Sequence, residues 1–98
     1  MKILHISSPD LTLGFNQSLK LATAAAENLL GENMLLSWYD RERNYESPAH
    51  VSECHTHCAT PGYIDFAASH GGELVIDFEQ GRFVFCFRPL GEFASGNG

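Results

Sequence analysis

A helical spacing of apolar residues is the clearest pattern in the first half of the chain. Within residues 15–30, hydrophobic side chains recur at steps of four and three, at Phe15, Leu19, Ala22, Ala26 and Leu29. This is the period of an amphipathic helix, and Gly31 is suited to a left-handed C-terminal cap. Residues 2–7 and 33–40 are apolar runs of strand length on either side. The pattern predicts a strand, helix, strand unit whose right-handed crossover makes the two strands parallel.

The second half of the chain predicts a short helix followed by an antiparallel hairpin. Residues 63–70 carry apolar side chains in a helical pattern, which a Gly-Gly pair at 71–72 ends. The strand-like runs 73–78 and 82–88 are separated by Glu79-Gln80-Gly81. This loop places glycine where left-handed backbone angles are needed, as a hairpin requires.

Together these elements predict a two-layer α/β (α+β) sandwich. The element order is β-α-β-α-β-β, with a mixed four-stranded sheet and both helices on one face. Residues 40–48 are polar and charged, which predicts a solvated connection. Residues 1–90 are expected to form a single domain, and residues 91–98, rich in Gly and Ser, a flexible C-terminal tail.

A family resemblance accompanies this pattern in the second half of the chain. The residues that carry it are Pro61-Gly62-Tyr63, Phe66-Ala67, Gly71-Gly72-Glu73-Leu74 and the aromatic final strand. In the spacing of Pro and Gly and in the apolar pattern, this part resembles a small uncharacterised family of domain-of-unknown-function proteins. The resemblance supports the fold and implies no activity.

Composition and charge narrow the range of partners. Six Lys and Arg stand against twelve Asp and Glu, and the formal net charge of −6 repels phosphate backbones and anionic membranes. We therefore expect no nucleic acid and no membrane as a partner. The apolar part of residues 2–7 is too short for a signal peptide, and no apolar run is long enough to span a membrane. Three cysteines cannot all pair within one chain, so a cytoplasmic location is the expectation.

One segment carries candidate chemistry, namely Cys54-His55-Thr56-His57-Cys58 with His50 upstream. Thiolate and imidazole are the ligands that zinc and similar divalent metals prefer, and structural sites commonly use a pair spaced by two to four residues. In a helix, Cys54, His57 and Cys58 would share one face, with His50 a turn earlier. In an extended segment, the cysteines and the histidines would point to opposite sides. The candidate metal ligands are therefore Cys54, His57, Cys58 and His50.

This candidate metal site lacks the second Cys or His pair that usually completes a zinc site. Cys86 is flanked by apolar residues and His70 lies beyond a helix, so two chains sharing one metal is the more natural geometry. An iron–sulfur motif would need a cysteine at Pro61, and a thioredoxin-type dithiol has two intervening residues rather than three. A cysteine nucleophile beside its histidine neighbours is rarely aligned for attack. The remaining alternative is a polar surface loop without a ligand.

The final strand predicts self-association. Phe83, Phe85 and Phe87 alternate with Val84 and Cys86, so both faces of this strand are apolar. Helices on one face of the sheet cannot cover both of its faces. The simplest cover for the other face is a second copy, which would form a homodimer through the sheet face or edge that carries this strand. The alternative is a monomer in which the short helix and the connection before it fold over the second face.

Two functions are compatible with these features. The first is a small, non-catalytic interaction or assembly domain that binds a second copy or an unidentified protein partner. The second is a metal-binding or thiol-redox protein that uses the Cys54-His55-Thr56-His57-Cys58 cluster. A small cysteine-dependent enzyme is a third hypothesis, which these features favour less than the first two.

Overall fold

The helices and strands that form follow the sequence pattern closely. The computed structural model describes residues 1–49 and 61–90. The α1 helix begins after Gly14 and ends before Gly31, whose φ of 76° is positive, as the sequence predicts for this glycine, and whose ψ is −140°. The elements are β1 (Lys2–Ile6), α1 (Phe15–Leu30), β2 (Asn33–Asp40), β3 (Tyr45–Ser47), α2 (Gly62–Ser69), β4 (Leu74–Phe78) and β5 (Phe83–Pro89).

The sheet is mixed, as predicted, but within the described residues it has five strands rather than four, in the order β1-β4-β5-β2-β3. The additional strand, β3, lies in the segment 40–48 that the sequence analysis treats as a solvated connection. It pairs antiparallel with β2, and Tyr39 lies opposite Glu46. The prediction was wrong because a three-residue strand is too short to show an alternating pattern.

β1 and β2 run in the same direction, as the crossover predicts, but they are not neighbours. β1 is parallel to β4, which is antiparallel to β5, which in turn is antiparallel to β2. The β4–β5 hairpin, which confirms the predicted antiparallel pair, therefore lies between them. Its loop contains Glu79, Gln80 and Gly81, all with positive φ.

The two helices lie on opposite faces of the sheet, which corrects the expectation that both share one face. Phe83, Phe85 and Phe87 belong to the apolar cluster under α1, together with Ala22 and Ala26 of that helix. The intervening Val84 and Cys86 belong to a second cluster with Ala67 of α2. Successive side chains of a strand point to opposite faces, so an apolar strand needs cover on both. The short helix provides the second cover.

A bulge in β2 matches its side chains to these two faces. Leu35 lies opposite Phe87 and Ser37 opposite Cys86, so Leu36 is an extra residue without a partner on β5. Leu36 packs in the cluster under α2, and Ser37 faces the same side because its partner Cys86 does. The bulge thereby returns the next residue, Trp38, to the α1 side, where it packs.

The central position of β5 also corrects the predicted location of the dimer contact. β5 has β4 on one side and β2 on the other, and Phe85 is fully buried within the single chain. The final strand therefore offers neither a free edge nor a free face, whereas self-association itself stays a prediction. Neither helix in the described part of the chain is long and apolar enough to cross a membrane.

Candidate interaction site and the Cys/His segment

The outer side of β1 is an open edge of the sheet that the structure describes. β1 stands at the end of the sheet, and no described strand lies beyond it. The Lys2 amide donates to the Glu73 carbonyl at 3.0 Å, and the Ile6 carbonyl accepts from the Glu79 amide at 2.9 Å. Lys2 and Ile6 therefore direct their backbone groups toward β4. Because alternate residues of a strand face the same neighbour, Ile3 and His5 direct their N–H and C=O groups outward.

Exposed apolar side chains surround this open edge. Ile3 and Leu29 are each 58% exposed, and Met1 is 45% exposed. Met1 and Leu29, with Leu4 and Leu30, line a groove of about 660 Å³ between β1 and the C-terminal end of α1. Ile3 borders this groove, but its side chain lies on the opposite face of the sheet from Leu4. Contiguous apolar surface beside unpaired backbone groups is characteristic of a protein contact rather than of a solvated edge.

The other edge of the sheet is built differently. β3 has only three residues and is followed directly by Pro48, which has no N–H to offer a further strand. Short strands and proline are devices by which proteins protect an edge from pairing. β1 has five residues and no proline, so the two edges differ in their capacity to pair.

A second cluster, at the end of β2, joins a buried carboxylate to an arginine among aromatic rings. Asp40 is 2% exposed, and its Oδ1 accepts hydrogen bonds from the Glu42 and Arg43 amides at 2.9 and 3.2 Å. Its Oδ2 accepts from the Arg43 Nε at 2.5 Å. The Arg43 guanidinium lies 5.1 Å from the Phe15 ring centroid and 5.9 Å from that of Trp38.

Asp40 departs from the solvated connection that the sequence predicts for residues 40–48, whereas Arg41, Glu42 and Arg43 are exposed as expected. Asp40 closes the turn between β2 and β3, and Arg43 connects that turn to the start of α1. Both carboxylate oxygens of Asp40 are bonded within the fold, so the cluster has a structural role. Sequence reasoning missed it because a carboxylate that caps a turn has the same local pattern as one in a solvated loop.

The predicted metal ligands Cys54, His57, Cys58 and His50 lie outside the described residues. The segment that contains them connects β3 to α2. Within residues 1–49 and 61–90, no three His, Cys, Asp or Glu side chains come together as a metal ion requires. The site therefore stays a prediction.

Cys86, the cysteine that the structure does describe, is a free thiol buried under α2. Burial raises its pKa from 9.0 to about 11, and a hydrogen bond with Ser37 opposes part of that increase. A thiol with this pKa is protonated at neutral pH and unreactive. Cys86 is fully buried and packs as a small hydrophobic residue, in agreement with its apolar neighbours in the sequence.

Comparison with known proteins identifies a family and a similar fold, and it assigns no activity. A family model, Domain of unknown function (DUF5619), matches residues 1–87. A novel protein of Archeoglobus fulgidus DSM 4304, described from its crystal structure as lying outside the family models, is similar in structure. Its TM-score is 0.70 at 22% sequence identity, over 94% of this chain and 98% of that one. No curated protein matches this chain.

Proposed function

Since the chain belongs to the family Domain of unknown function (DUF5619), whose description assigns no activity, we propose its function from its own surface. It is a non-catalytic assembly domain that associates with a second copy of itself through the open edge of β1. The observation that carries this proposal is the outward direction of the Ile3 and His5 backbone groups beside an exposed apolar groove.

The energetics of the β1 edge favour a protein partner. A backbone hydrogen bond contributes about 0.5–1.5 kcal/mol net, which cannot by itself offset the cost of association. Full burial of an exposed aliphatic side chain contributes about 1.5–3 kcal/mol, and about half of that is available at each of Ile3, Leu29 and Met1, which are half-exposed. An edge strand and an apolar groove that adjoin can therefore support a contact that neither supports alone.

A second copy suits this edge because the edge presents no strong charge pattern. β1 has the sequence Lys-Ile-Leu-His-Ile, with one formal charge at neutral pH, at Lys2. The groove beside β1 also contains Glu73, so its lining carries one residue of each sign and selects neither a strongly acidic nor a strongly basic partner. Closed twofold dimers are the commonest oligomers and require only that one surface fits itself.

Sedimentation equilibrium of the full chain at micromolar to submillimolar concentration tests this proposal. We expect a mass near two chains, and a mass near one chain for Ile3→Lys, which places a charge on the exposed edge. Leu21→Lys is the matched control, because Leu21 is also a half-exposed apolar residue but lies on α1 away from β1. A wild-type mass of one chain throughout, or equal dissociation by both variants, would refute the proposal.

A second candidate function is metal binding by Cys54, His57, Cys58 and His50. The density of thiols and imidazoles between residues 50 and 58 favours it, and zinc is the metal that such ligands suit. Ligands from two copies would complete four-coordination, which links this function to self-association. The free thiol of Cys86 and the odd number of cysteines fit a cytoplasmic location for either function.

Metal analysis of the protein purified without a His tag tests the second candidate. We expect stoichiometric zinc in the wild type, its loss in Cys54→Ser and its retention in Cys86→Ala, whose thiol is buried elsewhere. Absence of metal from the wild type, together with unchanged thiol reactivity on adding Zn²⁺, would overturn it.

A further inference from the structure

We propose that two copies pair their β1 strands antiparallel, with Leu4 of each copy on the twofold axis. This inference rests on the proposed self-association and specifies its register. The result is one continuous sheet of ten strands, built from the five described strands of each copy.

The direction of the backbone groups determines which residues can bond across the axis. The backbone N–H and C=O groups of Ile3 and His5 point outward, whereas those of Lys2, Leu4 and Ile6 point toward β4. In an antiparallel pair, two opposite residues that face each other exchange both of their hydrogen bonds. We therefore place Ile3 opposite His5 of the partner subunit, and His5 opposite the partner's Ile3. In this arrangement the outward backbone N–H and C=O groups of all four residues form hydrogen bonds.

Leu4 then occupies the position between these two bonded pairs. It lies opposite Leu4 of the partner subunit, in a pair without hydrogen bonds, where the two side chains are closest. This is also the register in which all five residues of one β1 lie opposite the five of the other. A register centred on Ile3 or on His5 would leave two residues of each strand beyond the end of its partner.

The side chains agree with this register. Leu4 packs on the α1 side of the sheet, beside the groove, so the two Leu4 side chains join the two grooves into one apolar surface. Lys2 lies opposite Ile6 of the partner subunit and meets no like charge. On the other face, the exposed Ile3 lies beside the partner's His5 and is partly covered.

Disulfide trapping of the full chain tests the register. In a background of Cys54→Ser and Cys58→Ser, with the buried Cys86 retained, we expect Leu4→Cys to form a covalent dimer in oxidised glutathione. The Cβ atoms of such a pair lie close to the separation that a disulfide requires. Ile3→Cys is the control, because in this register Ile3 of one copy lies two residues away from Ile3 of the other and stays reduced.

A second measurement uses the wild-type chain and needs no variant to fold. In a mixed sample of isotope-labelled and unlabelled protein, we expect a nuclear Overhauser contact between the Leu4 Hα atoms of the two copies. A dimer that traps Ile3→Cys but not Leu4→Cys, or that lacks this contact, overturns the register and leaves self-association standing. A wild-type mass of one chain overturns both.

Discussion

The hydroxyl of Ser37 donates a 2.7 Å hydrogen bond to the carbonyl oxygen of Tyr63. Ser37 is buried in β2, and Tyr63 lies in the first turn of α2, so this bond connects the second helix to the face opposite α1. The bulge at Leu36 directs Ser37 toward that face. A polar residue in an otherwise apolar strand thus helps to determine on which side the short helix packs.

Replacing Ser37 by Ala should destabilise the fold by about 0.5–1.5 kcal/mol, because the partly buried hydrogen bond that connects β2 to α2 would be lost. The free energy of unfolding from urea titration measures this change. Ser69→Ala removes an exposed hydroxyl bonded to the Phe66 carbonyl and should change the same quantity by less than about 0.5 kcal/mol. Equal costs for the two variants would contradict a special role for Ser37.

Local pattern was sufficient to predict most of the elements. The steps of four and three predict α1 with the bounds that the structure has, and Gly31 takes its expected positive φ. The hairpin of β4 and β5 and its glycine-containing loop are also confirmed. These features depend on residues close in the sequence, whose spacing and backbone preferences act locally.

Strand order and the side on which each helix packs could not be predicted in the same way. Both faces of the final strand are visibly apolar, but the sequence pattern does not state which helix covers which face. The apolar run of β2 conceals the extra residue Leu36, which changes the direction of the side chains that follow. The open edge of β1 also follows from topology, because β4 and β5 lie between β1 and β2. The position of β1 at the edge of the sheet could not be predicted for that reason.

The stability of the fold should decrease in alkaline solution because of Cys86. Burial raises the pKa of its thiol from 9.0 to about 11, so between these values the unfolded chain loses a proton that the folded chain retains. The contribution of Cys86 to stability is fully present below pH 9. Above pH 9 the free energy of unfolding falls with rising pH until the folded thiol also ionises, at about pH 11. The expected slope is up to about 1.4 kcal/mol per pH unit for this group.

Urea titrations at stepped pH measure this slope. Cys86→Ala should remove the slope between pH 9 and 10 and reduce it between pH 10 and 11, whatever the effect of the substitution on stability at neutral pH. Burial also raises the pKa of Tyr63, from 10.0 to about 12, so Tyr63→Phe should flatten the curve only above pH 10. A slope between pH 9 and 10 that is unchanged in Cys86→Ala would contradict the assignment.

Gly72 occupies a position where a side chain does not fit. Its amide donates to the Ala67 carbonyl at 2.7 Å, and an added Cβ would lie 2.7 Å from that same oxygen. The oxygen belongs to the backbone of α2 and cannot move aside easily, so Gly72→Ala should cost about 1–3 kcal/mol. At Gly14 the nearest atom to an added Cβ is 3.9 Å away, and Gly14→Ala should cost less than about 1 kcal/mol, from weaker helix capping. Thermal unfolding compares the two variants, and equal costs would exclude the steric explanation.

Asp40 stabilises the fold in two ways, by accepting hydrogen bonds in the turn and by pairing with Arg43, and two substitutions should separate these contributions. Its Oδ1 holds the turn through the Glu42 and Arg43 amides, and its Oδ2 pairs with the Arg43 side chain. Asp40→Asn keeps an oxygen for the turn and loses only the ion pair, which solvent partly screens because Arg43 is half-exposed, so it should cost about 1–2 kcal/mol. Asp40→Ala also leaves the two amides without their acceptor and should cost about 2–4 kcal/mol.

The fluorescence of Trp38, the single tryptophan of the chain, reports the pairing of Asp40 with Arg43, because the Arg43 guanidinium lies 5.9 Å from the centroid of the Trp38 ring. Releasing Arg43 from Asp40 should change the emission of Trp38 in Asp40→Asn and in Arg43→Gln alike. Only Asp40→Ala should also lose the stability that comes from the turn, since Arg43→Gln keeps the backbone amides and the carboxylate that binds them. If Arg43→Gln proved as destabilising as Asp40→Ala, the ion pair rather than the capped turn would be the main contribution of Asp40.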